Sequence, residues 1–298
     1  MTDASGRPAL PGCAILAEAA GDPLAGTASP ADRWLLIEHP GPWDRLALSS
    51  PGLVPEAMAA LAGWADSANA RIALVRRHGR PGNPTRPRRW FRIDARPGHE
   101  SVRTGFHDGS VGITDAMEVS GQPYERHLTL VCTHGRHDPC CAIRGRRLAA
   151  VLAAGDPDGT WECSHIGGCR FAPAMVLLPH GLIYGGVSPH EAPGVVRAYT
   201  TGIVDSRFLR GRSSLTPAAQ TAQLHARAAI GATGTDDLQV IAATMIDAST
   251  WRVELTRPNC TVLLRERTVP VDRPLTCAAK PTGRMRVFDL LDLLDLNR

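Results

Sequence analysis

Aromatic residues are scarce in this chain: Phe, Trp and Tyr make up 5% of 298 residues, with only three Tyr and five Phe. That removes the stacking platform on which single-strand nucleic-acid binders lay successive bases. A dominant charge sign is missing too. The 33 basic side chains face 29 acidic ones, a net +4 that is too small for a nucleic-acid footprint. No stretch reaches the roughly eighteen apolar residues of a membrane span. Met1 to Gly12 holds one Arg and no apolar run, so no secretory signal is expected and the expected compartment is the cytoplasm. A Cys-x-x-Cys motif is also lacking, which counts against thioredoxin-type thiol–disulfide exchange.

What the chain does contain is 43% hydrophobic residues, 29 Gly and 24 Pro, the profile of a turn-rich globular protein. It also has eight Cys, which in a reducing compartment call for a role other than disulfides. Their placement is uneven. Cys132, Cys140, Cys141, Cys163 and Cys169 crowd into one stretch with His134, His137 and His165, whereas Cys13, Cys260 and Cys277 are scattered and read as structural thiols.

The order of elements suggests an α/β fold that repeats. Strand-like Arg33–Glu38, helical Pro55–Asp66, strand-like Arg71–Arg76, then Trp90–Ala95 and Ser101–Thr104 around a turn give strand, helix, strand, hairpin. The same order returns with His127–Val131, Cys141–Ala154, Trp161–Ser164, Ala174–Leu178 and Leu182–Gly186, closed by a helix at Pro193–Thr200. This is the order of a thioredoxin-type layer, so two tandem units are expected, residues 1–118 without cysteine ligands and residues 119–212 with them. Basic Arg207–Ser214 reads as a linker. Residues 213–298 read as a small α+β domain: a helix at Pro217–Ile230, strands at Asp237–Met245, Thr250–Leu255 and Thr261–Arg265, and an acidic amphipathic helix at Val287–Leu296.

On these elements Cys132 ends one strand, Cys141 opens the following helix, and His165 and Cys169 leave the next strand around Ile166-Gly167-Gly168. Two glycines there permit a tight turn and a close backbone approach. Four ligand-type side chains are thus expected from two loops at one end of a sheet. Thiolate and imidazole suit iron and zinc alike. No tight Cys knuckle is present, and the eight residues between Cys132 and Cys141 suit a larger group, a [2Fe–2S] cluster. Its charge would be offset by the helix start and by Arg144, Arg146, Arg147 and Arg170. A His in place of one thiolate is expected to set the potential between about −400 mV and about −150 mV. Cys140 rivals Cys141, Cys163 is a substitute ligand or core packing, and His134 and His137 flank the loop. The arginines of Arg76–Arg80 and Pro84–Arg89 form a solvated run or a docking patch for an acidic redox partner.

Cys132-Thr-His-Gly-Arg-His-Asp-Pro-Cys-Cys141, followed by Trp-Glu-Cys-Ser-His165-Ile-Gly-Gly-Cys169, resembles the sucrase/ferredoxin-like family of thioredoxin-like ferredoxins, and Trp34-Leu-Leu-Ile-Glu-His-Pro-Gly-Pro-Trp43 resembles its N-terminal signature. The resemblance covers about residues 10 to 210. It implies a [2Fe–2S] cluster held by two Cys at the spacing of Cys132 and Cys141, which selects Cys141 over Cys140, and by a His-x-x-x-His pair. His165 matches the first His, and the second position is Cys169 here, so the implied set is Cys132, Cys141, His165 and Cys169. The implied activity is one-electron transfer between redox donor and acceptor proteins that the sequence does not name. The alternatives are a thiol–disulfide oxidoreductase and a structural zinc-binding interaction module.

Overall fold

The computed structural model describes residues 12–79, 87–108, 113–117 and 121–295. After a short helix α1 (Cys13–Ala19), the first unit runs β1 (Arg33–Glu38), α2 (Pro55–Ser67), β2 (Ala70–Arg76), β3 (Arg88–Asp94) and β4 (Ser101–His107), with a two-residue β5 (Gln122–Pro123) on its outer edge. The second runs β6 (Leu128–Cys132), α3 (Pro139–Gly155), β7 (Thr160–Cys163), β8 (Ala174–Leu178), β9 (Leu182–Gly185) and α4 (Ala192–Thr200). In each unit the two strands around the helix pair in parallel, and the first of them also pairs antiparallel with a hairpin strand. The strand orders are therefore the same, β2-β1-β3-β4 and β7-β6-β8-β9. The tandem α/β reading of the sequence matches this arrangement.

The two layers are one sheet. Strand β2 pairs antiparallel with β7 through Val75↔Cys163 and Arg76↔Glu162, giving a ten-stranded sheet closed at its far edge by β10 (Leu209–Arg212). Phe91 in β3 and Trp161 in β7 lie three strands apart, about 14 Å in a flat sheet. Their rings meet at 5.4 Å, so the sheet curls across the joint and encloses one shared apolar core. Helix α2 covers the outer face of the first layer, and α3 and α4 cover that of the second.

Two expectations fail. The basic segment taken for a linker contains β10, and Arg210 and Arg212 in it are buried. Backbone carbonyls and Glu100 receive their guanidiniums, which is how arginines can occupy a buried edge strand. The acidic tail is a strand rather than a helix. After α5 (Pro217–Ile230) come β11 (Gln239–Met245), β12 (Thr250–Thr256), β13 (Cys260–Val271) and β14 (Gly283–Asp295), and β14 pairs with β13 along its length. An extended hairpin with Val262 and Leu264 buried under α5 outweighs the helical spacing of the Asp-Leu-Leu repeat. Among the described residues no helix is long and apolar enough to cross a membrane.

Candidate metal centre

The loop after β6 turns back because Asp138 caps α3, accepting the Cys140 amide at 2.9 Å, and Pro139 fills the first helical turn. Nearly two turns into the helix, Gly145 lies against the Cys132 carbonyl, where any Cβ would collide. Helix α3 therefore approaches close enough to bring Cys141 beside Cys132. Strand β7 runs parallel to β6 with Cys163 opposite Cys132, and the chain leaves it through His165 into a 3-10 turn at Cys169–Phe171. Gly167 and Gly168 both have positive φ, and a side chain on Gly168 would strike the Arg210 guanidinium.

The outcome is convergence. The sulfurs of Cys132 and Cys141 and a ring nitrogen of His165 lie within 4.8 Å of one another. Cys169 Sγ is 3.5 Å from His165 Nδ1, and Cys141 hydrogen-bonds to both Cys132 and Cys169. The three cysteines are buried and His165 is half-buried. Three thiols and an imidazole suit a thiophilic metal, mononuclear or in a cluster.

Protons held in the site are poised for exchange. The hydrogen bond from Cys141 and those from His165 hold Cys132 well below the usual thiol range despite its burial. The bond from Cys141 likewise brings Cys169 down to about 7, and Cys141, as the donor between two thiolates, is pushed up. Burial alone would lower His165, but its bonds to Cys132 and Cys169 raise it to about 9. Metal binding replaces protons on such thiols and imidazole.

Neighbouring groups fix the geometry. His134 Nε2 donates to the Asp44 carbonyl at 2.7 Å, which leaves Nδ1 to accept the His165 amide at 3.3 Å. His137 stacks on the His165 ring, with centroids 3.7 Å apart. The nearby buried cations are not all the expected ones. Arg144 pairs with Glu18, and Arg146 and Arg147 are exposed. Arg170 does interact with Cys169 while bound to Asp22. Sequence reasoning missed Arg71 and Arg210. Arg71 donates to the His165 carbonyl and interacts with Cys132, while Arg210 donates to Gly167 O and Thr27 Oγ1 and interacts with Cys169 and Cys132.

The other thiols sort themselves. Cys163 faces the core and is in no group of metal-ligating side chains among the described residues. Cys260 packs in the C-terminal core. Cys140 turns away from Cys141 and meets Cys13 and Cys277, a grouping with no local sequence signal. Of the basic run, Arg76 and His78 bind Glu162 and Arg77 binds the carbonyls of Pro157 and Asp158, so these side chains are engaged within the fold. Arg80 and Arg86 lie outside the described residues.

Fold and site together define an α/β protein of two thioredoxin-type layers with a cysteine-rich candidate metal centre. The chain belongs to the sucrase/ferredoxin-like family, whose model matches residues 24–211. No curated protein matches it. Among solved structures it is similar to the wild-type thioredoxin-like [2Fe–2S] ferredoxin from Aquifex aeolicus, at 23% identity over 29% of this chain and 97% of that one, with a TM-score of 0.25. A second structure of a thioredoxin-like [2Fe–2S] ferredoxin from the same organism gives 19% identity over 31% and 97%, with a TM-score of 0.26.

Proposed function

We propose that this protein is a one-electron carrier holding a [2Fe–2S] cluster on Cys132, Cys141, His165 and Cys169. In this reading residues 119–212 are the ferredoxin unit, residues 1–118 a thioredoxin-like unit that buttresses it, and residues 213–298 an appended α+β domain. The work is cytoplasmic, between redox proteins. The observation that carries the reading is the meeting of these four side chains at one end of the second layer. The cluster would supply the electron-accepting group. The chain's own part is to exclude water, to hold His165 by its backbone through His134 and Arg71, and to set positive charge beside the sulfurs. The His165 ring is engaged on both nitrogens, Nδ1 against Cys169 Sγ at 3.5 Å and Nε2 accepting the Gly167 amide at 3.1 Å.

Anaerobic purification with absorption, EPR, iron and sulfide assays tests the proposal. A brown protein with about two irons and two sulfides per chain and an EPR signal on reduction is expected. His165→Cys should keep the chromophore and lower the potential. An unchanged spectrum and potential in His165→Ala would remove His165 from the ligand set.

A second reading, one zinc or iron ion on the same residues, is favoured by compactness. Three donor atoms within 4.8 Å of one another are close to the edge lengths of a single tetrahedral site. Colourless protein with zinc bound at these four residues would select it.

A further inference from the structure

A second group of sulfurs lies beside the first at the α3 N-terminus, with Asp138 within 4.8 Å of sulfurs of both. Cys140 Sγ is 3.4 Å from Cys277 Sγ, and Cys277 Sγ is 3.5 Å from Cys13 Sγ. An Asp138 carboxylate oxygen lies 3.5 Å from Cys13 Sγ, and all four ligand atoms are within 4.8 Å of one another. A tetrahedral zinc site with Zn–S of about 2.3 Å and Zn–O of about 2.1 Å has S···S edges of about 3.8 Å and S···O edges of about 3.6 Å. These contacts therefore need to open by only a few tenths of an ångström to take a single zinc ion.

We propose that Cys13, Cys140 and Cys277, with an Asp138 oxygen as fourth ligand, form a structural zinc site. This goes beyond the electron-carrier reading, and its test rests on that reading by counting zinc separately from the iron expected at the first centre.

Its surroundings suit bound thiolates. The Cys13 amide donates to Cys277 Sγ at 3.4 Å, and the Ala14 amide donates to Cys140 Sγ. Gly12 makes the approach possible, since a Cβ there would press on Cys140 Sγ. Asp138 is wholly buried, and its two oxygens accept the Cys140 and Cys277 amides, each at 2.9 Å. Arg170, which interacts with Cys13, moderates the net negative charge of three thiolates and a carboxylate around one zinc.

The placement also explains an odd excursion. Residues 272–282 leave the β13–β14 hairpin and reach the second layer, tied by the Cys277 contacts and by an Arg273–Asp22 ion pair. An ion there would staple α1, α3 and this connection, segments more than 120 residues apart, each contributing one thiol. A closed four-ligand site of this kind holds structure rather than performing chemistry.

The test is elemental analysis of the full-length protein, with Cys277→Ser, Cys13→Ala and Cys132→Ser alongside. About one zinc per chain is expected, falling more than tenfold in the first two variants while iron and sulfide stay unchanged. Cys132→Ser should do the reverse, losing the first centre and keeping the zinc. X-ray absorption at the zinc edge should show three sulfurs and one oxygen. Because Cys277 lies at the surface, its Ser variant is expected to fold, and circular dichroism checks this. Wild-type protein without zinc, zinc retained in folded Cys277→Ser, or loss of iron instead of zinc in that variant would each overturn the site.

Discussion

Cys140 and Cys141 are adjacent in the first turn of α3, yet their sulfurs join different clusters, Cys141 with Cys132 and His165, Cys140 with Cys13 and Cys277. Consecutive helical residues point about 100° apart, so one turn of helix can serve two centres. The predictions below follow from how that turn and its surroundings are held.

Gly145→Ala should damage the first centre from outside it. The added methyl would press on the Cys132 carbonyl, a backbone atom that cannot turn aside, so α3 must retreat. A stability loss of about 1–3 kcal/mol is expected, with less metal retained per chain. Thermal unfolding and metal content of the variant check it, and unchanged values for both would show that α3 has room.

Arg210→Met should cost more. It leaves the carbonyls of Thr27 and Gly167 without their donor in a fully buried place. The expected destabilisation is about 2–4 kcal/mol. If a redox-active cluster is present, losing this cation should also lower its potential, which a redox titration reads.

His134→Ala removes the acceptor of the His165 amide and the donor to Asp44 O. A loss of about 1–3 kcal/mol is expected, with a changed spectrum of any bound metal. His137→Ala removes the stacked ring and its hydrogen bond to the Arg45 backbone but no bond to the His165 amide, and should cost less. Equal effects in the two variants would mean that ring stacking, not the hydrogen bonds, holds His165.

Stability should fall on mild acidification for a reason unconnected with metal. Burial, helped by Arg88, lowers His107 from 6.5 to about 4. Its folded value is below its unfolded one, so at pH above 6.5 the folded form carries no penalty. Between pH 6.5 and about 4 the unfolded chain takes up a proton that the folded one refuses. The loss is on the order of 3 kcal/mol across that window. His107→Gln should flatten the melting profile against pH there; an equally steep profile would refute the assignment.

Most of the layer architecture was legible because its strands are short apolar runs bounded by Pro and Gly, as in Arg33–Glu38 and Ala174–Leu178, and because Pro55 and Pro217 mark helix starts, whereas α3 begins at Pro139, two residues before the start read from the sequence. The neighbourhood of Cys132, Cys141, His165 and Cys169 was legible because these residues lie within one stretch, 132–169. The second grouping was not. Cys13 and Cys277 are 264 residues apart, and only tertiary packing makes them neighbours. Arg71 and Arg210 were missed because an arginine in a strand usually reads as solvated, and their burial depends on loop carbonyls the sequence does not mark. The tail was misread because its apolar spacing suits a helix as well as a bulged strand, and pairing with β13 decides between them.

The joint between β2 and β7 has a bearing on any attempt to excise the ferredoxin-like portion. Leu74 exchanges hydrogen bonds with Ser164, and Arg71 reaches across to His165, so the first layer supplies part of the wall around the candidate centre in the second. A fragment starting at residue 119 would bare the Trp161 face and lose that cation. The repeat has given up autonomy: the copy with the clustered cysteines leans on the other for part of its core and its hydrogen bonds.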